Sequence, residues 1–497
     1  MSVPARVRLD AFGVGAREMV RALAEALSHL RPAWIVGGAV RDALGGSAAR
    51  DLDVALPSGA IALAREMAGR LGAAFLVLDE ARGAARLVGA AGYAWQGPQV
   101  DFADFRGPGL EADLRGRDFT VNALAVPVGQ LAAAGEAEVV GLSGGLEDLS
   151  SRRVRLCAPG ALEGDPVRIL RAAHLAIGPG WMLDDGVADA ARRASQGLRL
   201  VSAERVRDEL LGLLSEPSST GGLRLLDDWG ALAIVLPEQH AMKETEQSEP
   251  HCFDVWEHSL RAVHGADVLA SHAGELGPEG PAFAAHLDEP IGDGATRREA
   301  LKLAALLHDV AKPETLTIEN GRTRFLGHDV IGAARTREIG ARLRLSGRLV
   351  AVLERLVRHH LRPMHLAIAG EVTRRARYRF FRDLGDEALD LLLLALADAA
   401  ALRGDSPLSV WEGAGGHVVR ELVAGHVEEA VAQAHPPLLD GREAMALLGL
   451  EPGPELGRLL RALREAQGTG AVTTHEAAVT FLREFRRRPL DTSDPAS

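Results

Sequence analysis

The stretch WIVGGAVRDALGGSAARDLDVAL, from Trp34 to Leu56, decides how the rest of the chain is read. Its opening apolar run, Trp34-Ile35-Val36, reads as a short buried strand. The strand stops at Gly37-Gly38, a pair with no side chains in the way of a ligand and free access to positive φ. A helical segment, Ala39 to Leu44, follows and carries Arg41 and Asp42. Asp51-Leu52-Asp53 then lies inside a second apolar run. Residues two apart on a strand point to one face, so the two aspartates sit side by side while Leu52 turns to the core. Two carboxylates on one face repel unless a hard cation lies between them. Mg²⁺, an oxygen-ligated ion that also takes phosphate oxygens, suits that arrangement. A bare Asp-x-Asp is more often a solvated strand edge. With Gly-Gly upstream, a helix start behind it and Arg-Asp in that helix, the stretch reads as a nucleotide site.

Composition sets the frame around this stretch. At 497 residues the chain is too long for one core and is expected to hold about three or four domains. Apolar residues make up 47% and charged residues 25%, the balance of a folded soluble protein. The net charge, 56 − 68 = −12, argues against an unspecific polyanion binder, although local arginine clusters still allow phosphate contacts. Cys157 and Cys252 are the only cysteines, so no disulfide framework is expected and a reducing cytoplasm fits. No signal peptide is expected from the charge-bearing N-terminus, and Leu389–Leu402, interrupted by Asp390 and Asp398, falls short of a membrane span.

Periodicity predicts a helix over 13–30, with Met19, Leu23, Ala26, Leu27 and Leu30 on one face, and another over 61–71. Strands are expected at 74–78, 85–88 and 100–105. Gly-Gly-Ala-Val-Arg-Asp followed by Asp-Leu-Asp resembles the signature of the polymerase β-like nucleotidyltransferases, specifically the bacterial tRNA CCA-adding enzyme and poly(A) polymerase family. The resemblance implies that Gly37 and Gly38 approach the triphosphate, with Arg41 beside them, and that Asp51 and Asp53 bind the catalytic Mg²⁺. It also suggests a third carboxylate on a neighbouring strand, for which Asp101 and Asp104 compete. DLRGRDFTVNALA, 113–125, resembles a second family motif and carries over nucleotide contacts to Arg117, Asp118 and Asn122. Gly116 stands where the family usually has an arginine, and Arg115 is the nearest substitute. Asp118 is equally placed to cap a helix. GLSGGLEDL, 141–149, resembles the family's hinge motif without its usual Asp-Pro.

In ALEGDPVRILRAAHLA, 161–176, Asp165, Arg168 and Arg171 fall at i, i+3 and i+6, with Pro166 as the first helical residue. An Asp–Arg pair presents acceptors and donors in a plane, which suits the edge of a base. By resemblance the Asp165–Arg168 pair selects incoming C or A. VSAERVRDELLGLL, 201–214, resembles the next family motif, which implies a helix capped by Ser202 with Glu204 and Arg205 supporting the nucleotide-selecting helix. Residues 217–222 and 243–250 read as connections, and 271–298, rich in Gly, Pro and acids, as an inserted flexible loop.

A second centre is read from a histidine series: His258, His308-Asp309, His328, His359-His360 and Asp398. Asp398 lies in a nearly all-apolar helix, where an unpaired carboxylate is costly, and a metal shared with His258, His308 and Asp309 relieves it. The order resembles the HD phosphohydrolase superfamily, with His328 and one or both of His359 and His360 as extra ligands; the metal is left open between a transition ion and Mg²⁺. In the tail, Leu456, Leu459, Leu460 and Leu463 form a helical stripe, and Thr473–Glu476 a helix start. This segment resembles the tRNA-contacting module of bacterial CCA-adding enzymes.

These readings predict an α+β chain. A polymerase β-like head with a small mixed sheet spans 1–157, and an all-α neck with the nucleotide-selecting helix spans 158–245. An HD domain follows over 246–405, then a helical tRNA-binding tail over 406–497. The expected activity is template-independent addition of CCA to tRNA 3′ ends from CTP and ATP, with a second divalent metal at the HD centre. Alternatives are poly(A) addition, addition of CC or A only, or an HD phosphohydrolase acting on phosphoesters or 2′,3′-cyclic phosphates.

Overall fold

A seven-stranded mixed sheet organises the N-terminal part of the computed structural model, which describes residues 5–27, 32–47, 49, 51–89, 92–434 and 436–487. Helix α1 (Ala16–Leu27) precedes β1 (Trp34–Val36), α2 (Gly38–Leu44) and β2 (Asp51–Leu56). Then come α3 (Ala60–Leu71), β3 (Ala74–Asp79), β4 (Ala84–Val88), β5 (Gln99–Asp104), β6 (Leu124–Pro127) and β7 (Val140–Gly141). The order across the sheet is β3-β4-β5-β2-β1-β6-β7, with β2 and β5 parallel and the other neighbours antiparallel.

Leu52, Val54 and Leu56 bury one side of β2 against Met19, Leu23, Leu63 and Met67, while Asp51 and Asp53 occupy the other. The period-2 expectation for this strand holds, and so does the alternation of β5, where Val100 and Phe102 are buried. Of the stripe expected on α1, Met19, Leu23 and Leu27 are core; Leu30 lies outside the described residues.

The chain divides into two compact units, 1–216 with 221–235, and 217–220 with 236–497. The first continues past the sheet in helices α4 (Arg168–Ala176) and α5 (Ala203–Leu214). The second is built from helices: α7 (Val255–Ser271), α8 (Gly280–Leu287), α9 (Arg297–Leu307), α10 (His328–Arg342), α11 (Gly347–His359), α12 (Arg362–Ala369), α13 (Arg374–Leu384) and α14 (Ala388–Ala401). Its tail helices, α15 (Gly441–Leu448), α16 (Pro454–Gly468) and α17 (His475–Arg487), close a core of Leu456, Leu459, Leu463, Ala478 and Leu482. Thr474 accepts from Ala477 N (3.2 Å), as expected of a helix start. Among the described residues no helix is long and apolar enough to cross a membrane.

Two readings of connections are corrected. Residues 217–222 are not a linker, because α6 runs from Ser219 to Asp228. The buried hydroxyls of Ser219 and Thr220 donate to Asp267, at 2.7 and 2.8 Å. Gly222 is there for close packing, since a Cβ would lie 2.7 Å from Leu213 Cδ1. Likewise 271–298 is not a flexible loop; it holds α8 and a two-stranded turn, Pro290–Gly292 with Ala295–Thr296. Phe283 and Leu287 are buried. His286 Nε2 and Arg297 Nη1 both reach the buried carboxylate of Asp390, at 3.0 and 2.6 Å. Phe283→Ala is therefore expected to destabilise the protein by about 3–5 kcal/mol, the range for emptying a buried aromatic site. Chemical denaturation reads this, and a loss below about 1 kcal/mol, the scale of surface substitutions, would restore the loop reading.

Candidate active site and a histidine–aspartate centre

Strand β1 ends at Gly37, whose φ of 80° and ψ of −143° place it outside the regions open to side-chain-bearing residues. A Cβ there would also lie 2.9 Å from both Arg117 Nη1 and Asp53 Oδ2, so glycine is required twice over. Gly37 thus lets the Arg117 guanidinium and the Asp53 carboxylate close on the strand end, and Gly38 opens α2 beside the head group of Arg41.

Three carboxylates gather here. Asp51 and Asp53 share one face of β2, and Asp53 is paired in register with Asp101 of β5. Asp101 is clamped by Arg86 through two bonds of 2.7 and 2.8 Å. Asp104, its rival, instead accepts from Ala60 N and caps α3. Burial raises the Asp53 carboxyl above its ordinary value; Asp101 and Asp51 push the same way while Arg117 opposes them. A crowded set of hard oxygen donors, with Asp51 open to solvent and Asp53 and Asp101 partly buried, calls for a cation, and that donor chemistry fits Mg²⁺.

A relay of paired groups runs away from the carboxylates. Arg117 donates to the buried Asp113 (3.3 Å), and Arg41 to Asn122 Oδ1 (2.7 Å). Asn122 Nδ2 donates to Asp118 Oδ1 (3.2 Å), which also accepts from Phe119 N (2.7 Å). Arg171 bridges Asp118 Oδ2 (2.8 Å) to Glu209 of α5. Burial alone would raise Asp118, but Arg171 overrides it and holds the carboxyl down at about 2. Both oxygens of Asp118 are thus engaged within the protein, and it is not a helix cap: the short helix Thr120–Asn122 has Phe119 at its N-cap position and no side-chain cap bond.

Asp165 and Arg168 do not share a helix. Asp165 is extended (φ −153°, ψ 91°), as a residue before proline tends to be, and α4 begins at Arg168 rather than at Pro166. The pair is 3.7 Å apart, and Arg205 of α5 makes the closer contact to Asp165, 2.7 Å. Arg205 thus has the supporting place expected of it, whereas Ser202 occupies the N-cap position without a side-chain cap bond. Arg168 donates to the carbonyls of Gly116 (2.9 Å) and Ala161 (3.1 Å). Arg115, the nearest arginine to Gly116, has an exposed side chain that pairs with Glu111 one helical turn away. Sequence reasoning missed Asp113, although it stands four residues before Arg117. It also missed Asp148 of the 141–149 segment, which accepts from Thr120 (2.6 Å) and Arg155 (2.8 Å).

The second centre is a ring of buried imidazoles. His258 of α7 lies 3.3 Å from His308 and 3.0 Å from Asp398 of α14, all through Nε2 and Oδ1. His328 and His360 meet at 3.1 Å. Asp309 stands between the two groups. Its Oδ2 faces His308 (3.2 Å) and His258 (3.6 Å), and its Oδ1 faces His328 (3.4 Å) and His360 (3.8 Å). The Nδ1 atoms of His308, His328 and His360 each bond a backbone carbonyl three residues back, at 2.8, 2.6 and 2.7 Å. That fixes each ring with Nε2 turned inward, the habit of metal-ligating histidines. Burial disfavours a charged His308, but Asp309 and Asp398 overcome it and hold the ring up at about 10. The centre demands positive charge, and its two triads, His258–His308–Asp398 and Asp309–His328–His360, fit a divalent pair. Of the two adjacent histidines only His360 joins; His359 is half-buried outside the cluster.

Comparison with known proteins places these centres in a family. Residues 33–155 match the poly A polymerase head domain, 182–243 the probable RNA and SrmB-binding site of polymerase A, and 255–402 the HD domain. An A-adding tRNA nucleotidyltransferase of Deinococcus radiodurans is 37% identical over 460 residues, 91% of this chain and 95% of the relative. The chain belongs to the tRNA nucleotidyltransferases. A CC-adding tRNA nucleotidyltransferase of Thermus thermophilus is also 37% identical, covering 92% of this chain and 94% of that one. The nucleotidyltransferase fold is shared with a Thermotoga maritima CCA-adding enzyme complexed with tRNA (TM-score 0.59, 16% identity, 98% and 100% of the two chains). It is shared equally with a CCA-adding enzyme complexed with ATP (TM-score 0.62, 16% identity, 98% and 100%).

Proposed function

We propose that this tRNA nucleotidyltransferase builds the CCA end of tRNA from CTP and ATP, using the head centred on Asp51 and Asp53. The observation that carries the reading is the closure of Arg117 and Asp53 on Gly37: a phosphate-binding cation and a metal-binding carboxylate meet at a strand end where no side chain intervenes. The acceptor's 3′-oxygen bonds to the α-phosphorus, the α–β bridging bond breaks, and pyrophosphate leaves. Asp51 and Asp53 would hold Mg²⁺, with Asp101 on the next strand; bound there, it neutralises phosphate charge and eases ionisation of the attacking hydroxyl. Gly37 and Gly38 give the triphosphate its approach, and Arg41 and Arg117 take its charge. Asp118, Asn122 and Arg171 form the relay that holds Arg41 in place. Asp165, steadied by Arg205, reads the base together with Arg168.

In this reading the head spans 1–157, the neck 158–245, the HD domain 246–405 and the tRNA-binding tail 406–497. A reducing cytoplasm suits the two free cysteines. The HD centre adds metal-dependent hydrolysis of phosphoesters or 2′,3′-cyclic phosphates, supported by the two adjacent triads, His258–His308–Asp398 and Asp309–His328–His360.

The names of the two relatives at 37% identity, one A-adding and one CC-adding, favour a second reading in which this chain adds only part of CCA. Supplying tRNA lacking its 3′ end with CTP, ATP or both separates the readings. The full enzyme extends by two nucleotides with CTP and by a third once ATP is present. A CC-adding enzyme stops after the second, an A-adding enzyme extends only tRNA already ending in CC, and a poly(A) polymerase produces a ladder from ATP alone.

A further inference from the structure

Helices α12 and α13 flank an open cavity of about 410 Å³ lined by Arg362, His365, Thr373, Arg375 and Arg379. It lies in the C-terminal unit and uses none of the residues of the head or of the histidine–aspartate centre. In a protein of net charge −12, residues 355–382 hold eight arginines against a single acid, Glu371, or 8 − 1 = +7.

Among the described residues these arginines share few carboxylates. Arg362 and Arg382 share Asp383, at 3.2 and 2.7 Å. Arg375, Arg379 and Arg382 share Glu465, the latter two at 2.9 and 3.5 Å. Three of these arginines, Arg362, Arg375 and Arg379, line the cavity, and with the adjacent Arg382 they meet two carboxylates among the described residues. Burial and the neighbouring Arg382 together outweigh Asp383 and pull Arg362 below its usual value. Arg375 keeps 66% of its side chain and Arg379 39% open to solvent, so their head groups remain accessible to a ligand. Thr373, the N-cap of α13, adds a hydroxyl. Three lining guanidinium forks, planar and rich in donors, match a phosphate group.

We propose that this cavity is a phosphate site that holds a backbone phosphate of the RNA acceptor, resting on the reading that the acceptor is tRNA. A free mononucleotide carries the same chemistry, and the test separates the two.

The experiment measures tRNA binding across a salt series with full-length wild type, Arg362→Gln, Arg379→Gln and Glu465→Gln, and ATP binding alongside. Each arginine variant is expected to weaken tRNA binding about three- to tenfold at low salt and to lower the salt slope by about one, the signature of one lost phosphate contact, with ATP binding unchanged. Glu465→Gln removes negative charge from the same arginines and is expected to tighten tRNA binding. If the arginines only brace the tail, all three variants weaken tRNA binding and lower the unfolding midpoint together, which overturns the proposal. A fall in ATP binding with an unchanged tRNA slope overturns the RNA assignment. A wild type whose tRNA binding depends on Arg362 but which adds no nucleotide refutes the proposed activity and leaves the cavity's role standing. Nucleotide addition with an unchanged slope in Arg362→Gln does the reverse.

Discussion

Asp53→Ala is expected to lower nucleotide addition by about 10³-fold or more, since it removes a pre-positioned charge from the reacting phosphate. Folding should be intact or better. Burial, Asp101 and Asp51 all raise the Asp53 carboxyl, so its ionisation works against the folded state. A carboxyl whose folded value lies above its unfolded value costs the protein stability as pH rises through the unfolded value, and the loss persists at neutral pH. Removing it spares that loss, and Arg117 retains Asp113 as a partner. The expected pair of results is therefore an inactive enzyme whose unfolding midpoint at neutral pH is unchanged or raised. Steady-state incorporation and thermal unfolding read the two halves. An inactive variant that also unfolds early would mean that Asp53 is a structural residue.

Asp309→Ala is expected to do the opposite at the other centre. Asp309 lies between two histidine pairs and is also 2.6 Å from Lys312 Nζ, which is itself buried. Its loss takes a ligand from the Asp309–His328–His360 triad and the carboxylate partner from a buried ammonium, which costs about 3–5 kcal/mol. Dialysed protein should lose bound divalent metal by elemental analysis, phosphoester hydrolysis should vanish, and nucleotide addition at a temperature where the variant is folded should persist. Retention of metal at wild-type stoichiometry would remove Asp309 from the ligand set.

The two centres differed in what the sequence made legible. Asp51 and Asp53 were readable because a strand's period is local, and the glycines before them mark a turn wherever they fall. Asp118 and Arg171 were readable as motif residues, but not as partners, because 53 positions separate them and only the fold brings them to 2.8 Å. At Asp165 a helical spacing was assumed across a proline that holds the preceding residue extended. The segment 271–298 was misread because glycine, proline and acidic residues signal turns by composition. What fixes it is non-local: the buried Phe283, and Asp390 on a helix about a hundred residues away, flagged from sequence only as an interruption in an apolar run. The histidine series was visible by residue type, whereas the choice of His360 over His359 required knowing which ring turns inward at the end of α11.

In the proposed function the head transfers nucleotidyl groups to the end of tRNA. This transfer is tested most directly by counting pyrophosphate released against nucleotides joined to trimmed tRNA, for wild type and for Asp53→Asn. The account predicts one pyrophosphate per nucleotide joined by the wild type and neither product from the variant. Phosphate release without extension of the tRNA, or extension undiminished in Asp53→Asn, would contradict it.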